Sequence, residues 1–529
     1  MVESNEGPKP LSSPAPLGLM SLKAQAIKNV SATWLALLVQ AVVGFFLSPF
    51  ILHRLGNEAF SVWVLVFALT GYFGLFDCGI RSSIVKYTAA FISTHDHDQL
   101  SRYLSTSLAF YTVVGFFVLL LTVSGFFCLH LLFRVPPTLL TSAQILLLLS
   151  GASIAVTFPL NVFSGALEGL QKFSWLQLSH IGIALFRACL IVVALLNGGG
   201  LLALGTITVA LSLLSNLIFM GMAWHALPIR LSLGCVDGKA YRNMASYGAF
   251  AFAIVGAEKL RFQSDSLVIG ALLSATAIAY FSIAARLVEY SSYAVRSMSQ
   301  IFTPMSSQFH AVGDLESLRR TFLTGNRASA FIIFPICVVL LILGKPIIQS
   351  WVGASYVSSY PIVVVLIVPR TLYLAQSTST RILLGMGRHR LLASVLLLEG
   401  VTNLLLSVFL AHRLGIVGVA WGTAIPLACT SLFFLPRHLC RVLDLSLWTF
   451  LDRAYRLPLA IALLLAFVLW FLSYIFPTHS AAGLLMQITC GGILYCAVLA
   501  WTVLSSEFDA SASWHSVVES LTPKRTPLR

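Results

Sequence analysis

Long apolar runs separated by short polar or turn-forming stretches fill this chain almost from end to end. A helix needs about 20 apolar residues to cross the hydrocarbon of a bilayer. Runs of that order lie at 29–52, 60–80, 104–132, 139–166, 176–197, 201–224, 247–270, 276–303, 325–349, 357–384, 391–412, 415–436, 456–476 and 483–505. A transmembrane β-barrel would instead show short alternating segments, so the pattern predicts an all-α integral membrane protein with about fourteen transmembrane helices.

The runs repeat at an interval of about 215 residues. Lys28-Asn-Val-Ser-Ala precedes the first run as Arg242-Asn-Met-Ala-Ser precedes the seventh, and Trp63 corresponds to Phe281. Glu168-Gly-Leu-Gln-Lys172 ends the fourth run as Leu384-Gly-Met-Gly-Arg388 ends the tenth, and Gly205-Thr206 matches Gly422-Thr423. Two six-helix lobes of like orientation around a central cavity follow, with a C-terminal helix pair added. The expected divisions are a disordered tail over 1–26, an N-lobe over 27–224, a linker over 225–245 and a C-lobe over 246–436. An interfacial segment over 437–455, two further spans over 456–505 and a tail over 506–529 complete the chain. Neither tail is long enough for a soluble catalytic domain.

Composition agrees: 58% of residues are hydrophobic and 10% charged, against about 25% charged in soluble domains. Mean hydropathy is +0.90. A net charge of +14 suggests nucleic acid until its distribution is considered. With the N-terminus inside, the loops on that side and the two tails hold 22 of the 33 Lys and Arg residues, whereas the opposite loops hold only Arg54, Arg134, Lys345 and Arg413. This asymmetry predicts cytoplasmic termini and an even number of spans, and it explains the basicity without nucleic acid.

The remaining seven cations, Arg187, Lys259, Arg261, Arg286, Arg296, Arg370 and Arg381, fall within spans or near their ends. Each central charge facing lipid costs roughly 2.5–3.5 kcal/mol, so they cannot all face lipid. Around 257–265, Glu258, Arg261 and Asp265 are spaced i, i+3 and i+7, which predicts one charged helical face lining a wet, protein-enclosed cavity. The cations outnumber the clearly embedded acids Glu258, Asp265, Glu289 and Glu399. Pairing with those acids, or snorkelling from span ends, is the purely structural reading; the excess of guanidinium suits an anionic substrate gripped at two points. Arg187, Lys259, Arg261, Arg286, Arg370 and Arg381 are therefore the candidate binding residues.

Asp265 and Glu399 are candidates for carrying a coupling ion, H+ or Na+, with Asn403 one turn beyond Glu399; salt bridges to arginine are the alternative. Asp77 is expected to cap or pair locally with Arg81. Tryptophans near span ends read as an interfacial belt, and Tyr280, Tyr290, Tyr293 and Tyr373 as packing or sugar-stacking groups. The nine scattered cysteines form no CxxC pair, and no phosphate-binding loop, zinc-protease motif or GxSxG elbow occurs. Nothing calls for a cofactor or metal, and catalysis is not expected.

The stretches Leu52-His-Arg-Leu-Gly-Asn-Glu-Ala-Phe-Ser-Val-Trp63, Leu75-Phe-Asp-Cys-Gly-Ile-Arg81, Ala166-Leu-Glu-Gly-Leu-Gln-Lys-Phe173, Asp265-Ser-Leu-Val-Ile-Gly270 and Glu399-Gly-Val-Thr-Asn-Leu-Leu-Leu-Ser407 resemble the oligosaccharide flippases of bacterial polysaccharide and O-antigen biosynthesis, within the multidrug/oligosaccharidyl-lipid/polysaccharide exporter superfamily. Ser61 stands where that family often has glycine. The resemblance implies a lipopolysaccharide or polysaccharide pathway flippase of the bacterial inner membrane. Its substrate would be an undecaprenyl-diphosphate-linked oligosaccharide, moved between leaflets by alternating access among membrane lipids and handed to polymerase or ligase machinery. A cation-coupled multidrug antiporter of the same superfamily predicts an acidic cavity and twelve spans. A membrane-bound glycosyl or ligase enzyme predicts a sizeable outer loop, which the sequence lacks.

Overall fold

The apolar runs 29–52 and 60–80 flank the polar stretch 53–58 within one long helix, which bends sharply at Gly56, whose φ of 78° is open to glycine without a Cβ penalty. The structure, a computed structural model, describes residues 19–227, 231–476 and 481–504; of the expected tails over 1–26 and 506–529, only 19–26 are among them, and these are helical where the sequence predicts a disordered tail. The described residues form helices and no strands. The N-terminal half comprises α1 (Leu19–Gly71), α2 (Ile80–Ser93), α3 (His97–Leu132), α4 (Pro137–Gly169), α5 (Phe173–Leu196) and α6 (Leu201–Ala226).

The second half runs through α7 (Gly238–Phe262), α8 (Ser264–Leu272), α9 (Ala275–Ser299), α10 (Phe302–Ala311), α11 (Leu315–Val352), α12 (Tyr360–Ala375), α13 (Ser377–Gly385), α14 (His389–Cys429) and α15 (Leu435–Val442). The final pair is α16 (Leu447–Ile475) and α17 (Ala481–Leu504).

Eleven helical stretches among the described residues are long and apolar enough to cross a membrane. The charged stretches α7–α8 and α9–α10 fall outside that set, because Glu258, Lys259, Arg261 and Asp265 interrupt the first and Arg286, Glu289 and Arg296 the second. One of the eleven, Arg390–Val442, has 53 residues, about 80 Å of helix at 1.5 Å per residue and more than twice a hydrocarbon core. It bends at Gly415, where φ is 60°.

The two halves share one core, in which Leu52, Leu65 and Leu146 pack with Ile269, Ile278, Ile367 and Val419. At the end carrying the basic loops, Gly79 (φ 73°) meets Gly248 so closely that a Cβ on either would collide with the other's backbone. Beside them, Ser83 donates to the Met244 carbonyl at 2.8 Å. At the opposite end Trp351 donates to the Phe45 carbonyl at 2.7 Å, and Arg134 N to the Gly270 carbonyl at 3.1 Å. Phenylalanines such as Phe46, Phe116, Phe409 and Phe467 are exposed on the outer surface, as lipid-facing positions should be. Within 437–455, Leu443 and Phe450 are buried, and Phe450 stacks on Phe322 at 4.4 Å, while Trp448 is exposed.

Candidate functional site

Two arginines from different halves share one cavity. Arg187 lies on the stripe of α5 that also carries the buried Ala184 and Ile191, spaced i, i+3 and i+7; Leu185 and Phe186 beside it point outward and are exposed. Arg286 shares a face of α9 with Tyr290 and Tyr293 at i+4 and i+7. All five of Arg187, Arg286, Tyr290, Tyr293 and Trp63 line a space of about 460 Å³. No carboxylate is among the described residues that line it. Among the described residues neither Arg187 nor Arg286 forms an ion pair.

Gln40, Ala184 and Arg187 also border an adjoining space of about 250 Å³ whose other lining includes Arg81, Asn161, His180, Ser212 and Asn216. Arg187 therefore stands at the junction of two polar compartments. Arg81 is held by Glu168 at 2.6 Å. Asp77, expected to cap or pair locally with Arg81, accepts a hydrogen bond from the Tyr111 hydroxyl and also faces the backbone N–H groups of Gly79 and Arg81 and the Arg81 charge.

The other cations lie elsewhere. Arg261, 1% exposed, sets its Nε 2.5 Å from Glu399, and its guanidinium carbon lies 4.2 Å from the Tyr373 ring centre. Arg370, also buried, donates to Glu289 at 2.8 Å and to Ser292 at 3.0 and 3.1 Å. Tyr373 also lies 5.9 Å from Arg370, so one ring serves two guanidinium groups. Lys259 donates to Gln263 at 3.0 Å. Arg381 is half-buried on α13 and forms no ion pair among the described residues. Glu289 additionally faces Arg296 at 3.5 Å.

The single wet face expected through Glu258, Arg261 and Asp265 does not form. The helix breaks at Gln263 (φ −118°) between α7 and α8, so the i+7 register assumed for Asp265 is lost. Glu258 is exposed, whereas Arg261 and Asp265 are buried. Glu399 offsets the desolvation of Arg261, and Thr423 that of Asp265.

Asp265, Asn403 and Thr423 meet inside the second half. The Thr423 hydroxyl lies 3.0 Å from both Asp265 carboxylate oxygens and 3.4 Å from Asn403 Oδ1. Ser407 donates to the same Asn403 oxygen at 3.0 Å, and Asn403 Nδ2 donates to the Arg261 carbonyl at 2.9 Å. Glu399 stands apart, accepting from Thr430 at 2.6 Å besides Arg261. Thr423 and Ser407 were not among the candidates, although the sequence signals both: Gly422-Thr423 is a repeat position, and Ser407 lies one turn beyond Asn403.

The sequence matches the family described as polysaccharide biosynthesis protein over residues 51–361. It is 22% identical to the Bacillus subtilis membrane protein EpsK over 78% of this chain and 83% of that protein. It is 20% identical to a Shigella flexneri protein named "Putative O-antigen transporter" over 75% of this chain and 94% of that one. Its fold resembles lipid II flippase MurJ in an inward closed conformation, with a TM-score of 0.71 at 16% identity, covering 89% of this chain and 98% of that chain.

Proposed function

This chain belongs to the polysaccharide biosynthesis protein family, and from that premise we propose that it is a flippase of the bacterial cytoplasmic membrane. It moves an undecaprenyl-diphosphate-linked oligosaccharide from the inner to the outer leaflet by alternating access, for polysaccharide or O-antigen assembly. The observation that carries this reading is the acid-free cavity shared by Arg187 and Arg286. A diphosphate with polar sugars cannot cross about 30 Å of hydrocarbon unaided; two guanidinium groups offer it bidentate partners while the prenyl tail stays in lipid. Lys259, Arg261, Arg370 and Arg381 take secondary parts, Arg261 and Arg370 by holding the second half in shape. Polymerase or ligase machinery consumes the translocated product.

The same reading has fourteen crossings with both termini in the cytoplasm, arranged as two six-helix lobes and a final pair. Helix breaks at Gly56 and Leu273, and at Gly200 and Gly415, support it, each pair lying about 215 residues apart. Asp265 with Asn403 is the proposed seat of ion coupling, and Glu399 contributes by positioning Arg261.

The test is depletion of the chain in a cell that makes such a glycan. Lipid-linked oligosaccharide should accumulate on the inner leaflet, and a copy with Arg187→Gln and Arg286→Gln, at equal protein level, should fail to clear it. Clearance by that copy at the normal rate would overturn the reading. A multidrug antiporter is the second reading, because the fold also resembles an inward-facing multidrug resistance transporter, with a TM-score of 0.63 at 14% identity over 79% of this chain and 99% of that chain. It predicts organic-cation export and no glycan-lipid accumulation in the same cells; the absence of carboxylates from the cavity weighs against it.

A further inference from the structure

α11 and α16 pack closely along their middle, where Phe331 and Leu343 meet Ile461, Leu465 and Leu469. Toward the end with the basic loops they stay in contact, Phe322 stacking on Phe450 at 4.4 Å, and beside that contact a space of about 920 Å³ lies along a second face of both helices. α11 faces it with Glu316, Arg319, Arg320, Leu323, Thr324 and Arg327; α16 faces it with Thr449, Asp452, Arg453, Arg456, Leu457 and Ala460. Both sets follow the spacing i, i+3, i+4, i+7, i+8, i+11, which is one stripe of a helix. The apolar seam itself runs beside it, through Leu318, Phe322, Phe450 and Ala454. The stripe that faces the space carries five arginines.

The carboxylates nearby are too few to neutralise them. Glu316 and Asp444 both approach Arg319, at 3.6 and 3.2 Å, and Asp452 holds Arg456 at 3.0 Å. Arg320 and Arg453 are exposed and form no ion pair among the described residues. Crowding like charges in this way works against the fold unless an anion completes the site.

Apolar side chains accompany the charges. Leu323, Leu457 and Ala460 line the cleft beside Arg327 and Arg456, and α16 exposes Leu459 and Leu463 at and past that level. Trp448, at the start of α16, is 81% exposed, as an interfacial anchor would be. α11 has 38 residues, about 57 Å of helix, so its first turns extend past a hydrocarbon core of about 30 Å to headgroup depth. Arginines interleaved with apolar side chains at headgroup depth match an amphiphile.

We infer that this cleft binds the phosphate headgroup of an anionic membrane lipid, with its chains descending along α16. Arg320 and Arg453 close on the phosphate oxygens from opposite walls, and Arg319, Arg327 and Arg456 supply the surrounding field. A soluble phosphate offers the same headgroup chemistry but leaves the exposed Leu459 and Leu463 of α16 uncovered.

The experiment uses the full chain purified in neutral detergent, titrated separately with short-chain phosphatidylglycerol, short-chain phosphatidylcholine and pyrophosphate, and read by binding and by thermal unfolding. Phosphatidylglycerol should bind and raise the unfolding midpoint, and phosphatidylcholine should do neither. At about fivefold per arginine, Arg320→Gln with Arg453→Gln should weaken phosphatidylglycerol binding roughly twentyfold or more. Arg102→Gln, on an exposed surface away from the cleft, should leave it unchanged. If the glutamine pair does not fold, Arg320→Lys with Arg453→Lys keeps the charge but loses the planar fork, and should bind with intermediate affinity. Equal binding of the two lipids, or undiminished phosphatidylglycerol binding by whichever double variant folds, overturns the inference. Pyrophosphate binding through these arginines in the absence of any phosphatidylglycerol binding overturns the lipid source and assigns the cleft to a soluble anion.

Discussion

Arg261 and Glu399 form an ion pair at 2.5 Å in which the two side chains are 1% and 2% exposed. The pair joins α7 to α14 across the second half, and Asn403 on α14 reinforces it by donating to the Arg261 carbonyl at 2.9 Å. A pair so far from water has already lost its hydration, and its value depends on both partners being present.

Removing one partner should therefore be far worse than removing both. Arg261→Ala or Glu399→Ala alone should destabilise the protein by about 3–5 kcal/mol, while Arg261→Met with Glu399→Leu should cost much less. Thermal unfolding of the three variants in detergent checks this. Equal losses in the single and double variants would show that the pairing itself contributes little.

Arg187 and Arg286 should behave in the opposite way. Neither has an acidic partner among the described residues, so Arg187→Gln and Arg286→Gln should leave the unfolding midpoint nearly unchanged. Each should reduce translocation at least about tenfold, the equivalent of one charge-assisted hydrogen bond. Arg→Lys at either position should recover part of the rate, because the charge remains and the bidentate geometry does not. A large midpoint shift with intact translocation would remove the residue from the binding set.

This difference between the arginines marks where sequence reasoning stops. The helical architecture is legible because a long apolar run has only one way to satisfy its own backbone in lipid, and Gly56 and Gly415 are residues that allow a sharp bend. The presence of cations on the inner faces is legible too, since lipid would not tolerate so many. Which cation meets an acid is set by helix rotation, and rotation is reset by the breaks at Gln263 and Gln376, two positions without proline or glycine to announce them. Arg187 keeps its inward direction because α5 is unbroken. Asp265 does not keep the register expected from Glu258 and Arg261, because a break intervenes.

The proposed alternating access would require the contact between Gly79 and Gly248 to open and close. A Cβ at Gly248 would lie 2.7 Å from the Cys78 carbonyl oxygen, closer than real Cβ contacts allow, so Gly248→Val should hold the basic end open. In a chain whose native cysteines are replaced, Ser83→Cys reports on this. Ser83 is fully buried and bonded to the Met244 carbonyl, so a thiol there should react slowly with a water-soluble maleimide. Gly248→Val should raise that rate severalfold while slowing translocation; an unchanged rate would place the moving contact elsewhere.

The strongest prediction about coupling rests on a shortage of protons around Thr423. Its single hydroxyl proton faces both oxygens of Asp265 at 3.0 Å and Asn403 Oδ1 at 3.4 Å, and Ser407 supplies one more donor, to Asn403. Acceptors outnumber donors in a buried cluster, and an added proton or a small hard cation would correct the imbalance. Asp265→Asn supplies the missing donors and removes the charge, so it should fold with little loss of stability yet translocate at a rate no longer responsive to an imposed gradient. Thr423→Val keeps the shape, removes the hydroxyl and should weaken the response without abolishing it. Inverted vesicles given a pH gradient or a sodium gradient, one at a time, identify the ion. If Asp265→Asn still responds fully to whichever gradient drives the unaltered protein, the coupling group is another residue.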